Sequence, residues 1–304
     1  MAAPTVPLVA VLVFFMIRLI PGDPATLMLG DLADEQSLAA LRQRLGLNRP
    51  VPVQFVIWLG HALIGDLGLS ITSDQPVAQL VIARFPVSAG IVVISVALSA
   101  LIAVPAGMIA ARRQDSGWDL AFVGMATLLL SIPTFWLGLV ILIVFGLNLG
   151  WLPVVGYVSV AEDAWRGILY MIMPIATLFL HEIGVLLRMA RASTLEVLRL
   201  DYITHARAKG LRERMVLWRH AFPNAFAPTW TLIGLVLGNM LGGIAVVETV
   251  FTIPGLGRPL VDSIFSRDYP VIQGCLLFIA LIYVVVNLIV DICDPLFDPR
   301  VVLK

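Results

Sequence analysis

Six stretches of this chain are apolar over enough length to cross, or nearly cross, a bilayer whose hydrocarbon core takes about 20 helical residues. They lie near Pro7–Ile20, Val87–Ala111, Leu120–Leu147, Ile168–Leu187, Trp230–Phe251 and Val271–Ile292. Lipid offers peptide groups no hydrogen bonds, so each stretch must satisfy its own backbone as a helix. The expectation is an all-α integral membrane protein with six transmembrane helices. Composition points the same way: 13% of residues are charged and 60% hydrophobic, against about 25% charged in soluble domains. Too few polar side chains exist to coat a water-soluble globule. Zero net charge leaves no long-range field to gather nucleic acid.

Basic residues set the orientation. Arg112 and Arg113 lie in one turn. Arg191, Arg199, Arg207, Lys209, Arg212, Arg214 and Arg219 lie in the connection 190–228, and Arg300 and Lys304 close the tail. The opposite side holds Arg42, Arg44, Arg49, Arg84, Arg166, Arg258 and Arg267 in longer loops. The first side is therefore cytoplasmic, both termini are inside, and the outer loops are 22–86, 148–167 and 252–270. Three parts follow: a first transmembrane helix (1–21), an extracellular loop region with amphipathic helices (22–86), and a five-helix core (87–304) holding the cytoplasmic loop 190–228. The first stretch lacks the basic flank and cleavage site of a signal peptide. It reads as a retained helix whose natural N-terminal residues are missing or start late.

The long loops carry helical signals. Leu38, Leu41 and Leu45 share a face after Asp34-Glu35, and Gly46 ends the pattern. Phe55–Ile64 is apolar but short, and reads as an interfacial helix with Trp58 and His61 at headgroup depth rather than as a re-entrant loop. Inside, Asp201 can cap a helix over Tyr202–Lys209 whose negative end Arg207 and Lys209 complement. Gly210 can supply the left-handed turn that stops it. A second helix is expected over Glu213–His220, broken by Pro223.

Catalytic signatures are incomplete. His181-Glu182 begins a zinc-protease motif, but Val185 occupies the position of the second imidazole. Gly68-Leu69-Ser70 begins a nucleophile elbow, but Thr72 replaces its closing glycine. Lys209 and Lys304 are the only lysines, and neither fits a phosphate-binding loop, so the chain is expected not to hydrolyse ATP. Cys275 and Cys293 fall in one apolar stretch, where 18 residues of helix would hold them roughly 27 Å apart, beyond disulfide reach. Of the ionisable residues near the spans, Arg18, Arg188 and Asp291 sit at predicted helix ends, which leaves His181, Glu182 and Glu248 as intramembrane candidates. Pro105, Pro133 and Pro174 could break helices as in an ion-coupled transporter, but no internal repeat supports that reading.

The run Asp201-Tyr202-Ile203-Thr204-His205-Ala206-Arg207-Ala208-Lys209-Gly210-Leu211, followed by His220-Ala221-Phe222-Pro223-Asn224-Ala225, resembles the cytoplasmic coupling motif of ABC-importer permeases. Gly210 and Pro223 keep the motif's spacing and Ala206 matches its second alanine, while Thr204 and His205 depart from Glu and Ala. Ala-Arg-Ala-Lys-Gly is similar to the dipeptide/oligopeptide/nickel branch. Arg18-Leu19-Ile20-Pro21-Gly22-Asp23-Pro24, Gly65-Asp66-Leu67-Gly68, Val247-Glu248-Thr249-Val250-Phe251 with Pro254-Gly255-Leu256-Gly257, and Arg267-Asp268-Tyr269-Pro270 resemble that branch too.

The resemblance implies a type I importer permease fold and a non-catalytic subunit of the bacterial inner membrane that moves di- or oligopeptides by alternating access. Glutathione and nickel chelates are the alternative cargoes. It implies a second, homologous permease as heterodimer partner, two cytoplasmic ATPase subunits and an extracellular solute-binding protein. ATP and magnesium would be bound by the partners, with no cofactor in this chain. Coupling to the ATPase would fall to Asp201, Tyr202, Thr204, His205, Ala206, Arg207, Ala208, Lys209, Gly210 and Pro223. The binding protein would be met by the outer segments that include Asp66, Gly68, Gly255, Gly257 and Asp268.

Overall fold

The computed structural model describes residues 5–18, 26, 34–44 and 47–297. Its helices are α1 (Thr5–Arg18), α2 (Glu35–Arg44), α3 (Val51–Leu63), α4 (Val77–Arg112), α5 (Gly117–Ser131), α6 (Thr134–Ile141), α7 (Ala164–Leu198), α8 (Asp201–Ala208), α9 (Glu213–Met215), α10 (Phe222–Gly243), α11 (Ala245–Val250), α12 (Gly257–Ser266) and α13 (Tyr269–Phe297). Wider π-helical stretches extend α6 over Leu142–Asn148 and join α9 to α10 over Val216–Ala221. The motif residues Leu19–Pro24, together with Leu45, Gly46 and the basic tail, lie outside the described residues.

Four helical segments are long and apolar enough to span a membrane: Val77–Arg112, Ala164–Leu198, Glu213–Gly243 and Tyr269–Phe297. A fifth exists if Gly117–Ser131 and Thr134–Asn148, bent by 96°, form one span. Among the described residues the count is therefore four or five rather than the expected six; the described part of α1 has 14 residues, about 21 Å at 1.5 Å each. The bend has a local cause. Pro133 disfavours helical geometry at the residue before it, and Ile132 is extended at φ −90°, ψ 122°. Pro105 and Pro174 stay inside unbroken helices. The expected span Trp230–Phe251 is displaced: α10 begins at Phe222 and α11 is separate.

The chain divides into two compact units, whose boundaries fall within α4, between α11 and α12, and within α13. The first contains Met1–Val87 and Pro254–Val284. Its core joins Val77 and Val81 to Leu256, Leu260, Val271, Ile272 and Cys275. Near the N-terminus, Phe14 of α1 packs against Phe55 and Trp58 of α3, with centroids 5.1 and 5.5 Å away. The apolar segment after Pro50 is thus helical, with Trp58 packed on α1.

The second unit contains Ser88–Ile253 and Val285–Lys304. Ser95 and Ser99 of α4 donate to the carbonyls of Ile175 (3.3 Å) and Phe179 (2.9 Å) in α7. Further along the same pair of helices, a Cβ on Gly107 would lie 2.7 Å from the Leu187 carbonyl oxygen, so this crossing needs glycine. Asp119, at the start of α5, receives two hydrogen bonds from Arg191 of α7, at 2.6 and 2.7 Å.

Candidate functional site

The region from Arg199 to Ala225 holds the densest set of sequence-predicted functional residues. The backbone leaves α7 and turns through Leu200, which is extended at φ −75°, ψ 148° and makes no side-chain cap. Asp201, expected as the cap, is instead the first helical residue. Its carboxylate still lies where the helix dipole favours negative charge.

Helix α8 is seated by one face. Ile203 and Ala206, three residues apart, enter a cluster with Val104 and Met108 of α4, Ala190 and Val197 of α7, and Val216, Leu217, Ala221 and Ala225. Ile203 is completely buried. Ala206, predicted to take part in coupling, therefore faces inward, where its small side chain fits against this cluster. Asp201, Thr204, His205, Arg207, Ala208 and Lys209 are exposed.

Two polar ties hold the helix beyond its apolar face. The Tyr202 hydroxyl donates to the His220 carbonyl (3.2 Å) and accepts from the Asn224 side-chain amide (2.8 Å). Arg207 Nε donates to Glu213 Oε1 at 2.9 Å, across the turn that ends the helix. Neither Asn224 nor Glu213 is among the residues to which the sequence assigns a role in coupling. The expectations for Arg207, a complement to the helix dipole and a part in coupling, do not include this bond, and contacts across a turn obey no helical period.

The stop at Gly210 is as expected. Gly210 has φ +74°, its N–H donates to the Arg207 carbonyl at 2.9 Å, and the Leu211 N–H donates to the Ala206 carbonyl at 3.4 Å. This pair of bonds is the Schellman arrangement, which satisfies carbonyls left open at a helix end. Pro223 departs from expectation. It does not break the second helix but occupies the first turn of α10, immediately after the π-helical stretch. The proline thus lies inside one continuous helical run, Glu213–Gly243, which it does not interrupt.

The predicted outer contact residues separate into two sets. Asp66 and Gly68 are exposed; Asp66 accepts from the Gly68 N–H at 3.0 Å and pairs with His61 at 3.0 Å. Gly255, Gly257 and Asp268 are buried. Asp268 accepts from the Ser70 hydroxyl (2.5 Å), the Thr72 N–H (3.1 Å) and the Val271 N–H (3.5 Å). It ties the loop before α4 to the start of α13.

Among the intramembrane candidates, Glu248 is fully buried and accepts from the Ser88 hydroxyl at 2.5 Å. Glu182 is buried, and among the described residues His181 Nδ1 has no hydrogen-bond partner. Among the described residues, no three His, Cys, Asp or Glu side chains converge as metal ligands would.

Residues 103–303 match the family described as binding-protein-dependent transport system inner membrane component, and residues 2–92 match the N-terminal family of such components. The chain is 40% identical over 300 residues to a peptide transport system permease protein of Brucella suis biovar 1 (strain 1330), covering 99% of this chain and 96% of that one. It is 40% identical over 298 residues to a glutathione transport system permease protein of Salmonella choleraesuis (strain SC-B67), covering 98% and 95%. A crystal structure of an amino acid ABC transporter with histidines matches with a TM-score of 0.50 at 18% identity, over 73% of this chain and 94% of that one, which is a likeness of fold.

Proposed function

Since the chain belongs to the family of binding-protein-dependent transport system inner membrane components, and is thus a multi-pass permease subunit of an ABC importer, we propose that its cargo is a di- or oligopeptide and that α8 couples transport to ATP hydrolysis. The peptide assignment draws on the Brucella relative, and the Salmonella relative makes glutathione the second reading. The permease itself is non-catalytic. Two cytoplasmic ATPase subunits bind ATP and magnesium, a second, homologous permease completes the pore, and both termini face the cytoplasm.

ATP can shift the inward and outward states only through a contact that differs between them. One observation carries the choice of α8: a two-turn helix fixed on its inner face by Ile203 and Ala206, closed by Gly210, with Thr204, His205 and Ala208 outward. Such a knob moves with the α7 and α10 segments that hold it, so force on its outer face reaches the spans. Outside, exposed Asp66 and Gly68 remain as the contact for the binding protein, while Gly255, Gly257 and Asp268 support that region from within.

The assignment is tested by ATP hydrolysis of the reconstituted complex. Binding protein loaded with a di- or oligopeptide should stimulate it, and binding protein offered glutathione should not. Stimulation by glutathione alone would move the cargo to the second reading.

A further inference from the structure

Immediately beyond Gly210 lies a surface feature that the transport reading leaves unused. Arg212, Arg214, Met215 and Trp218 line an open concavity of about 450 Å³, within the size range of small-ligand sites. Its charge is uncompensated: Glu213, the carboxylate between the two arginines, is turned to Arg207, and among the described residues neither Arg212 nor Arg214 has an ion-pair partner. Its other lining is apolar and open, with Met215 43% and Trp218 40% exposed.

Its depth is set by the helix that carries it. Glu213–Gly243 runs for 31 residues, about 46 Å, against a hydrocarbon core of about 30 Å. The first turns therefore reach the headgroup layer when the more apolar end of the helix fills the core. Tryptophan favours that layer, and guanidinium groups bind phosphate through paired N–H donors. A free phosphate would use the two arginines and leave Met215 and Trp218 wet. A phosphate with acyl chains attached uses all four.

We propose that Arg212, Arg214, Met215 and Trp218 form a binding site for an anionic phospholipid of the cytoplasmic leaflet, its phosphate on the two guanidinium groups and its glycerol and upper acyl chain against Met215 and Trp218. The proposal rests on the membrane placement of α10 and not on the role of α8.

The test is lipid retention by the detergent-purified permease complex, read by native mass spectrometry after exposure to equal phosphatidylglycerol and phosphatidylcholine. Wild type should keep phosphatidylglycerol preferentially and lose it as ionic strength rises. Arg212→Gln/Arg214→Gln should lower retention about 30-fold, from the loss of two surface cations, with the ATPase subunits still bound. Trp218→Ala should also lower it, and soluble glycerol phosphate should not displace the lipid. Unchanged retention in the double variant, equal retention of both lipids, displacement by glycerol phosphate, or loss of the ATPase subunits with lipid retained would each overturn the proposal, the last by assigning the surface to the ATPase. Because lipid retention requires no transport, a failure here is distinguishable from a wrong cargo or a wrong coupling element.

Discussion

A Cβ placed on Gly210 would meet no atom within 4 Å, so the cost of replacing this residue comes from its φ of +74° and not from space. Left-handed geometry costs an ordinary L-residue about 1–2 kcal/mol, less for asparagine and more for β-branched side chains. Import at matched membrane levels should therefore fall in the order Gly210→Asn, Gly210→Ala, Gly210→Val, and equal import by all three would show that the left-handed turn does not matter. Asp119 and Arg191 present the opposite case, where the partner decides the cost. Asp119 is 4% exposed and also accepts from the Asp115 N–H at 3.0 Å. Arg191→Ala strands the buried Asp119 carboxylate and should destabilise the protein by about 3 kcal/mol, and Asp119→Ala should cost less, because Arg191 is partly exposed. The double variant should lose less than the sum, which thermal unfolding in detergent measures; strict additivity would mean the pair is not coupled.

At the scale of elements, α8 is held by one apolar face and two polar ties, and these can be cut separately. Tyr202→Phe removes the bonds to His220 and Asn224 while Ile203 and Ala206 stay buried. It should leave the permease in the membrane and lower both import and ATPase binding. Unchanged import would show that the apolar face alone fixes the helix. Arg207→Glu sets like charges opposite each other at Glu213, a half-exposed site worth about 0–1 kcal/mol. Its mild import defect should be relieved in Arg207→Glu/Glu213→Arg, and absence of rescue would remove the pair from the coupling account. These elements also mark what could be read in the sequence. The stop at Gly210 was legible because a glycine after a cationic last turn is a local signal. The behaviour of Pro223 was not, because the wider turns of Val216–Ala221 that precede it follow no sequence rule. Asp268 looked like a surface charge in a polar loop. Its burial depends on Ser70, 198 positions away, and nothing in the local pattern announces that partner.

For the whole molecule, the positive-side reading and the helices can be checked together. In a background with Cys275 and Cys293 replaced, cysteines at Asp34 and Glu162 should react with an impermeant thiol reagent from outside, and one at Lys209 only after permeabilisation. The reverse pattern would invert the topology. All three positions are exposed, so a failure to react cannot be put down to burial. Apolar length located the long spans, whereas the division at Ile132–Pro133 depends on one proline within an apolar run. The central claim is that this permease, driven by ATP through its partners, imports peptide delivered by a binding protein. Its most direct test is uptake of a labelled peptide into proteoliposomes holding the full complex. Uptake should require both internal ATP and external binding protein, and should be indifferent to an imposed proton gradient. Uptake that follows the proton gradient without ATP would contradict the account.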